Sequence, residues 1–461
     1  MFREFKAIIM KRKYAESLLL LVTGTLFLSA CTKLIEVQSP VNQLASGKVF
    51  ADDNTAISAI TDIYGRFKGD AFLNASVMLC PALSADELSD YNGSLRGYNV
   101  NNVPANDNFT KGMWTNFYKL IYESNALLEG LSDSKNVSSS LRKQLYGEGL
   151  TIRAFCYFEL VNFFGEVPLL LTTDVKANAV APRNAAAAIY KQLIADLTAA
   201  RDSLEDAYVS ADRARINKSA ATALLARVYL YTSNWKAAEE QASAVINNGM
   251  YSLNADLSKV FLKNSTETIL QLWTPLGYTQ LGAQLIPVSG NLSYALTPDF
   301  MNALSDKDLR KSTWTGNVVY GGSVTYYPAK YKLRQTATGP DAEYFILFRL
   351  AEQYLIRAEA RARQEKISTA LDDVNTLRHR VGIDSLQVNT LPEMLNAIEQ
   401  ERRMELFAEW GDRWFDLKRT GRIDAVMNRA KPGNWTSHAA LYPIPQVELG
   451  ANPALTQNKG Y

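Results

Sequence analysis

The 461-residue chain carries 49 Lys and Arg against 47 Asp and Glu, a formal net charge of +2. That balance gives no electrostatic footprint for nucleic acid, and 47% hydrophobic with 10% aromatic residues calls for a packed body rather than a disordered one. Two histidines and three cysteines are too few and too scattered for a zinc site or a histidine-based triad.

The chain opens with Arg3, Lys6, Lys11, Arg12 and Lys13, followed by an apolar run from Leu18 to Leu28. The run is shorter than the roughly 20 apolar residues a spanning helix needs, so residues 1–30 read as a secretory signal peptide. Leu28-Ser29-Ala30 and then Cys31 resemble a bacterial lipobox. That resemblance implies cleavage before Cys31 and acylation of its thiol, with palmitate-type chains. Each buried methylene contributes about 0.8 kcal/mol, enough in several chains for stable anchoring. Thr32, not an acidic residue, follows Cys31, which by resemblance to lipoprotein sorting favours the outer membrane. No later apolar run is long enough to span a bilayer.

Downstream the periodicity is helical. Trp114, Phe117, Ile121, Asn125 and Leu128 share one face. A second helix is predicted over about 139–164, carrying Leu145, Ile152, Phe155 and Leu160, stopped by Gly165 and Pro168. A third covers about 184–206. Cys80 and Cys156 read as thiols, since a body of this size needs no covalent staple. Then two segments repeat each other: Ala226, Ala238, Ala242 and Val245 are spaced like Ala358, Ala370, Val374 and Leu377. This is the spacing of tetratricopeptide helical pairs, which bury a face only by stacking on neighbours. Arg361 departs from the pattern at the position that Tyr229 fills in the first copy.

The texture changes over about 253–343. Residues 268–273 read as a short strand, and Gly, Ser, Pro and Asn then punctuate a stretch rich in exposed-looking aromatics, including Tyr320, Tyr326 and Tyr327. A shorter region of like texture spans 70–112. Loops of this length usually carry function. Rigid aromatic side chains on such loops offer flat apolar area with little conformational entropy to lose on binding. Tyr91, Tyr98, Tyr278, Tyr294 and Trp314 are the candidate ligand contacts, with packing of the loop onto the body an equal reading for each. Trp114, Tyr118 and Trp235 lie on helical stripes and read as core. Asp299, Asp306 and Asp308 lack any calcium-loop spacing, and no metal or other cofactor is expected.

The segments that carry a family resemblance run nearly end to end. They include Trp114–Asn125 (WTNFYKLIYESN), Glu148–Pro168 (EGLTIRAFCYFELVNFFGEVP), Arg215–Tyr229 (RINKSAATALLARVY) and Glu352–Ala360 (EQYLIRAEA). The most specific is Ile398–Gly421 (IEQERRMELFAEWGDRWFDLKRTG), followed by Asn452–Tyr461 (NPALTQNKGY). In this order, behind a lipobox, they resemble the SusD/RagB outer-membrane nutrient-binding lipoproteins of Bacteroidetes.

The resemblance implies a mainly α fold, a tetratricopeptide-like helical-pair body with loop-rich, minor-β insertions on one side. Residues 31–461 would form a single domain, its helical core at about 50–250 and 344–420 and its ligand-side insertion at about 253–343. It further implies capture of a glycan, or of a peptide, at the cell surface and delivery to a SusC-like TonB-dependent outer-membrane transporter, without catalysis.

A secreted hydrolase is the competing reading, through Glu401 and Glu405, four apart on one helical face. Arg402, Arg403, Arg413 and Arg419 surround them, and arginine favours the charged carboxylate, the wrong direction for a general acid. Ion-paired scaffold is the better reading. Trp410 and Trp414 read as core anchors. A periplasmic helical scaffold is a third, weaker option.

Overall fold

Asp107, Asn217 and Asn234 each stand just ahead of a helix and accept an amide proton that the first turn leaves unpaired. Thr390 and Glu393 close a full capping box with Pro392 in the first turn. These local signals start four of the ten principal helices, labelled here α1 (Asp53–Phe67), α2 (Asn108–Asp133), α3 (Ser139–Phe164), α4 (Ala186–Ser203), α5 (Lys218–Tyr231), α6 (Trp235–Ile246), α7 (Leu350–Ala362), α8 (Ile367–Arg380), α9 (Leu391–Leu406) and α10 (Asp412–Arg419). The computed structural model describes residues 49–67 and 72–461, of which Phe50–Tyr461 form one unit. Cys31 and the signal segment lie outside the described residues.

The chain is mainly α, as its sequence predicts, with consecutive helices α2 to α8 packed each on the next. Helix α3 is the centre: every residue from Gly147 to Phe164 is buried. A helix without a polar stripe belongs inside a core. Its polar members are paired there: Arg153 donates to both oxygens of Asp196, and Glu148 accepts from Arg215. Gly165, at φ +74°, ends the helix in a conformation that favours glycine.

The two repeats stack as tetratricopeptide pairs. Ala226, Ala238 and Ala242 of the α5–α6 pair pack on Ile356 and Ala360 of α7. Ala358, Ala370 and Val374 of the α7–α8 pair pack on Met394 and Ile398 of α9. Arg361, the departure from the repeat, donates to Glu239 of α6 and Asp373 of α8. It replaces an apolar filler with a clamp between successive pairs.

Among the described residues, six strands form three two-stranded antiparallel ribbons: β1 (Leu88–Asp90) with β3 (Tyr294–Leu296), β2 (Thr268–Leu272) with β6 (Phe345–Arg349), and β4 (Thr315–Tyr320) with β5 (Ser323–Pro328). Among the described residues no helix is long and apolar enough to cross a membrane, and no group of His, Cys, Asp and Glu could hold a metal ion. Cys80 and Cys156 are buried and not joined by a disulfide, and burial raises both thiol pKa values.

Candidate functional site

The carboxylates that could suggest hydrolysis sit in an arginine lattice. Arg310 Nη1 donates to Glu401 at 2.6 Å and to Glu405 at 3.1 Å. Arg349 and Arg380 add bonds to Glu405 Oε1 at 2.6 and 2.5 Å. Burial alone would raise the Glu405 pKa, but Arg380, Arg349 and Arg310 overcome it and hold the carboxyl well below its usual range. Glu87, which burial pushes up to about 8, is 3% exposed and accepts the amide of Ala408. The pair Glu401/Glu405 therefore braces α9 against β6 and α8. Trp410 and Trp414 are buried beside it, as expected of core anchors.

The loop aromatics divide. Tyr98 is interior: its hydroxyl donates to Asp107, the cap of α2, at 2.5 Å, and its ring packs on Tyr442. Trp314 is 1% exposed, with its indole N–H donated to Leu257 O at 3.0 Å. Tyr294 is 5% exposed, and its hydroxyl bonds Ser94 Oγ. For these three the loop packs onto the body, so the reading of them as exposed ligand contacts is corrected. Each has found a polar partner for its one polar group, so the loops could fold over it without leaving a donor unpaired. Tyr278 is half-buried, with its hydroxyl accepting from Gln280.

Tyr91 is different. It is 43% exposed and meets Tyr320 edge to face, ring centroids 5.3 Å apart at 88°. The backbone under it is fixed. Asp90 Oδ1 accepts the amides of Asn92 and Gly93, its Oδ2 accepts that of Leu95, and Asn92 accepts that of Ser94. Tyr91 N–H donates to Ser293 O at 2.9 Å, tying this loop to the start of β3. Tyr320 closes β4 just before Gly321 and Gly322, both at positive φ, as a two-residue hairpin turn requires. The two rings thus project from separate, rigid turns. Asn92, Arg96 and Asn317 are exposed on the same two segments. A perpendicular pair of exposed rings offers flat apolar faces on which a sugar ring can stack. Tyr320 is the ring sequence reasoning left out of the candidate set; the Gly-Gly pair after it is the signal that places it at a hairpin tip. Trp273, read as a strand end, is also 49% exposed.

Comparison with known proteins converges on one group. Residues 38–230 match a family model described as "Starch-binding associating with outer membrane", and residues 297–461 match the SusD family model. The chain belongs to the SusD/RagB family. A relative in Formosa agariphila, SusD-like protein P2, is 27% identical over 519 aligned residues, covering 98% of this chain and 100% of the relative. A solved laminarin-binding SusD-like protein superposes with a TM-score of 0.76 at 24% identity, over 89% of this chain and 100% of that one. Surface glycan-binding protein A from Bacteroides fluxus gives 0.76 at 23% identity, over 89% and 100%. At such identity the likeness to solved structures is one of fold.

Proposed function

We propose that this protein is a lipid-anchored, non-enzymatic outer-membrane protein that captures oligosaccharide and passes it to a TonB-dependent transporter. The carrying observation is the Tyr91–Tyr320 corner, two rings held at right angles by turns whose backbones are already pinned. Preorganised aromatics retain more of their contact energy, because little freedom is lost on binding. The burial of Glu401 and Glu405 among arginines supports binding without turnover. The likeness to a starch-binding family and to laminarin- and glycan-binding relatives supports a glycan over a peptide. Cys31 supports the anchor, and the likeness to SusD/RagB proteins supports the transporter partner.

A glycan array on residues 32–461, with chromatography of every ligand recovered, tests capture. Intact, saturably bound oligosaccharide is the expected result; cleaved ligand overturns the non-enzymatic reading. Export and anchoring are tested in cells: Cys31→Ala should move the protein from the membrane to the soluble fraction. A tagged wild-type protein should bring down a large β-barrel.

A further inference from the structure

A cavity of about 510 Å³ lies where residues 303–310, residues 378–388 and helix α9 meet. It shares no residue with the Tyr91–Tyr320 corner, and its volume falls within the range of small-ligand sites. Its walls are built. Arg378 Nε donates to Asp384 O, and the backbone of Leu386 both donates to and accepts from the Asn375 side chain, so the 383–388 segment is fastened to α8. Buried Arg310 pairs with both Asp308 and Glu401, themselves buried, and the three form the floor.

The lining chemistry is specific. Asn396 and Gln400 lie four apart on α9, so both line the same cavity. Neither side-chain amide forms a hydrogen bond with any described residue. Met404 continues their stripe on α9, Ile383, Leu386 and Val388 line the space from the 383–388 segment, and no aromatic residue lines it. Four helical residues advance about 6 Å. Two residues of an extended chain advance about 6.6 Å. Each Asn or Gln amide carries both a donor and an acceptor, so the two amides match successive same-side peptide groups of an extended chain. The aliphatic wall suits the apolar side chains that alternate to the other face. A sugar would find no aromatic face to stack on. At the rim Lys307 and Asp384 pair at 3.5 Å, and both side chains are largely exposed. Such a pair contributes little and opens readily.

We propose that this cleft binds an extended peptide segment, through the amides of Asn396 and Gln400 and the aliphatic wall of 383–388. The cavity's ionisable lining has one more acid than base (Asp308, Asp384, Glu393 and Glu401 against Lys307, Arg310 and Arg378), so a weakly basic segment is favoured.

The probe is a fluorescein-labelled, amidated hexapeptide of alternating leucine and lysine, titrated against the whole chain by anisotropy. The same composition with leucines and lysines in separate blocks is the comparator, and a linear glucose hexamer the competitor. The alternating peptide should saturate below about 1 mM, and Asn396→Ala with Gln400→Ala should weaken it at least about tenfold. The two side chains lie outside the core, so the thermal midpoint should stay unchanged. Absence of saturation, equal binding of the block peptide, an unchanged affinity in the double variant, or displacement by the glucose hexamer would each overturn the proposal.

Discussion

The guanidinium of Arg349 donates to the Glu405 carboxylate at 2.6 Å, joining the last residue of β6 to α9 across 56 positions of sequence. The same carboxylate also holds Arg380 and Arg310, so its loss takes one anion from three buried guanidiniums, each of which keeps another carboxylate partner. Removing one partner of a buried ion pair costs about 3–5 kcal/mol, because an uncompensated charge stays behind. Glu405→Gln should lower the urea midpoint accordingly, with little change in slope. The folded pKa of Glu405 lies below its ordinary 4.5. Its stabilisation is therefore complete above about pH 4.5 and is lost only as pH falls below that. The variant should show a shallower loss of stability in acid than the wild type.

Glu159 has the opposite sign. Burial pushes its carboxyl up to about 8, Arg227 and Lys418 only partly opposing, and neither oxygen has a hydrogen-bond partner among the described residues. Between about pH 4.5 and about pH 8 the folded chain holds a proton there that the unfolded chain has lost. Stability should therefore fall as pH rises through that window, by up to ~1.4 kcal/mol per pH unit. Lys418, lowered to about 7 by burial, acts in the reverse sense above that value. Denaturation of Glu159→Gln between about pH 5 and about pH 7 should give a flatter stability profile than the wild type; an identical slope would contradict the assignment.

How far the sequence reveals this molecule depends on the range of the forces involved. Helices α2, α3 and α4 were legible because apolar periodicity and the Gly165 stop act within a few residues. The small-residue offsets at Ala226 and Ala358 revealed the stacking, since only small side chains allow that close approach. The site was only half legible. Tyr91 and Tyr98 stand in one stretch of similar texture, yet Tyr98 found Asp107 and went inside while Tyr91 stayed at a turn. Whether a loop aromatic finds a buried acceptor depends on contacts across the fold, as Trp314 with Leu257 illustrates. Arg361 was an unexplained departure in sequence and acquires its reason only when Glu239 and Asp373 come to meet it.

Gly147, inside α3, supplies a packing prediction. A Cβ there would stand 2.5 Å from Leu204 Cγ, in a fully buried position. Alanine gains roughly 1 kcal/mol of helix propensity over glycine, but overpacking costs about 1–3 kcal/mol. Gly147→Ala should be destabilising in thermal unfolding, and Leu204→Ala combined with it should restore part of the loss relative to Leu204→Ala alone, as shared contacts couple.

Tyr91 and Tyr320 should act together on ligand. Aromatic pairs contribute about 0.5–1.5 kcal/mol beyond their buried area. Each single change to alanine should weaken oligosaccharide binding by roughly tenfold. The double variant should fall short of the product of the two, because each ring supports the other at 5.3 Å. Both side chains are exposed, so unfolding midpoints should move little.

Glycan capture is tested most directly by isothermal titration of one array-selected oligosaccharide into wild-type protein and the Tyr91→Ala, Tyr320→Ala double variant, with the ligand recovered afterwards. Saturable wild-type binding, loss of most affinity in a folded double variant and chemically intact ligand are the predicted results. Equal affinity in the two proteins, or shortened oligosaccharide in the recovered fraction, would contradict capture at this corner.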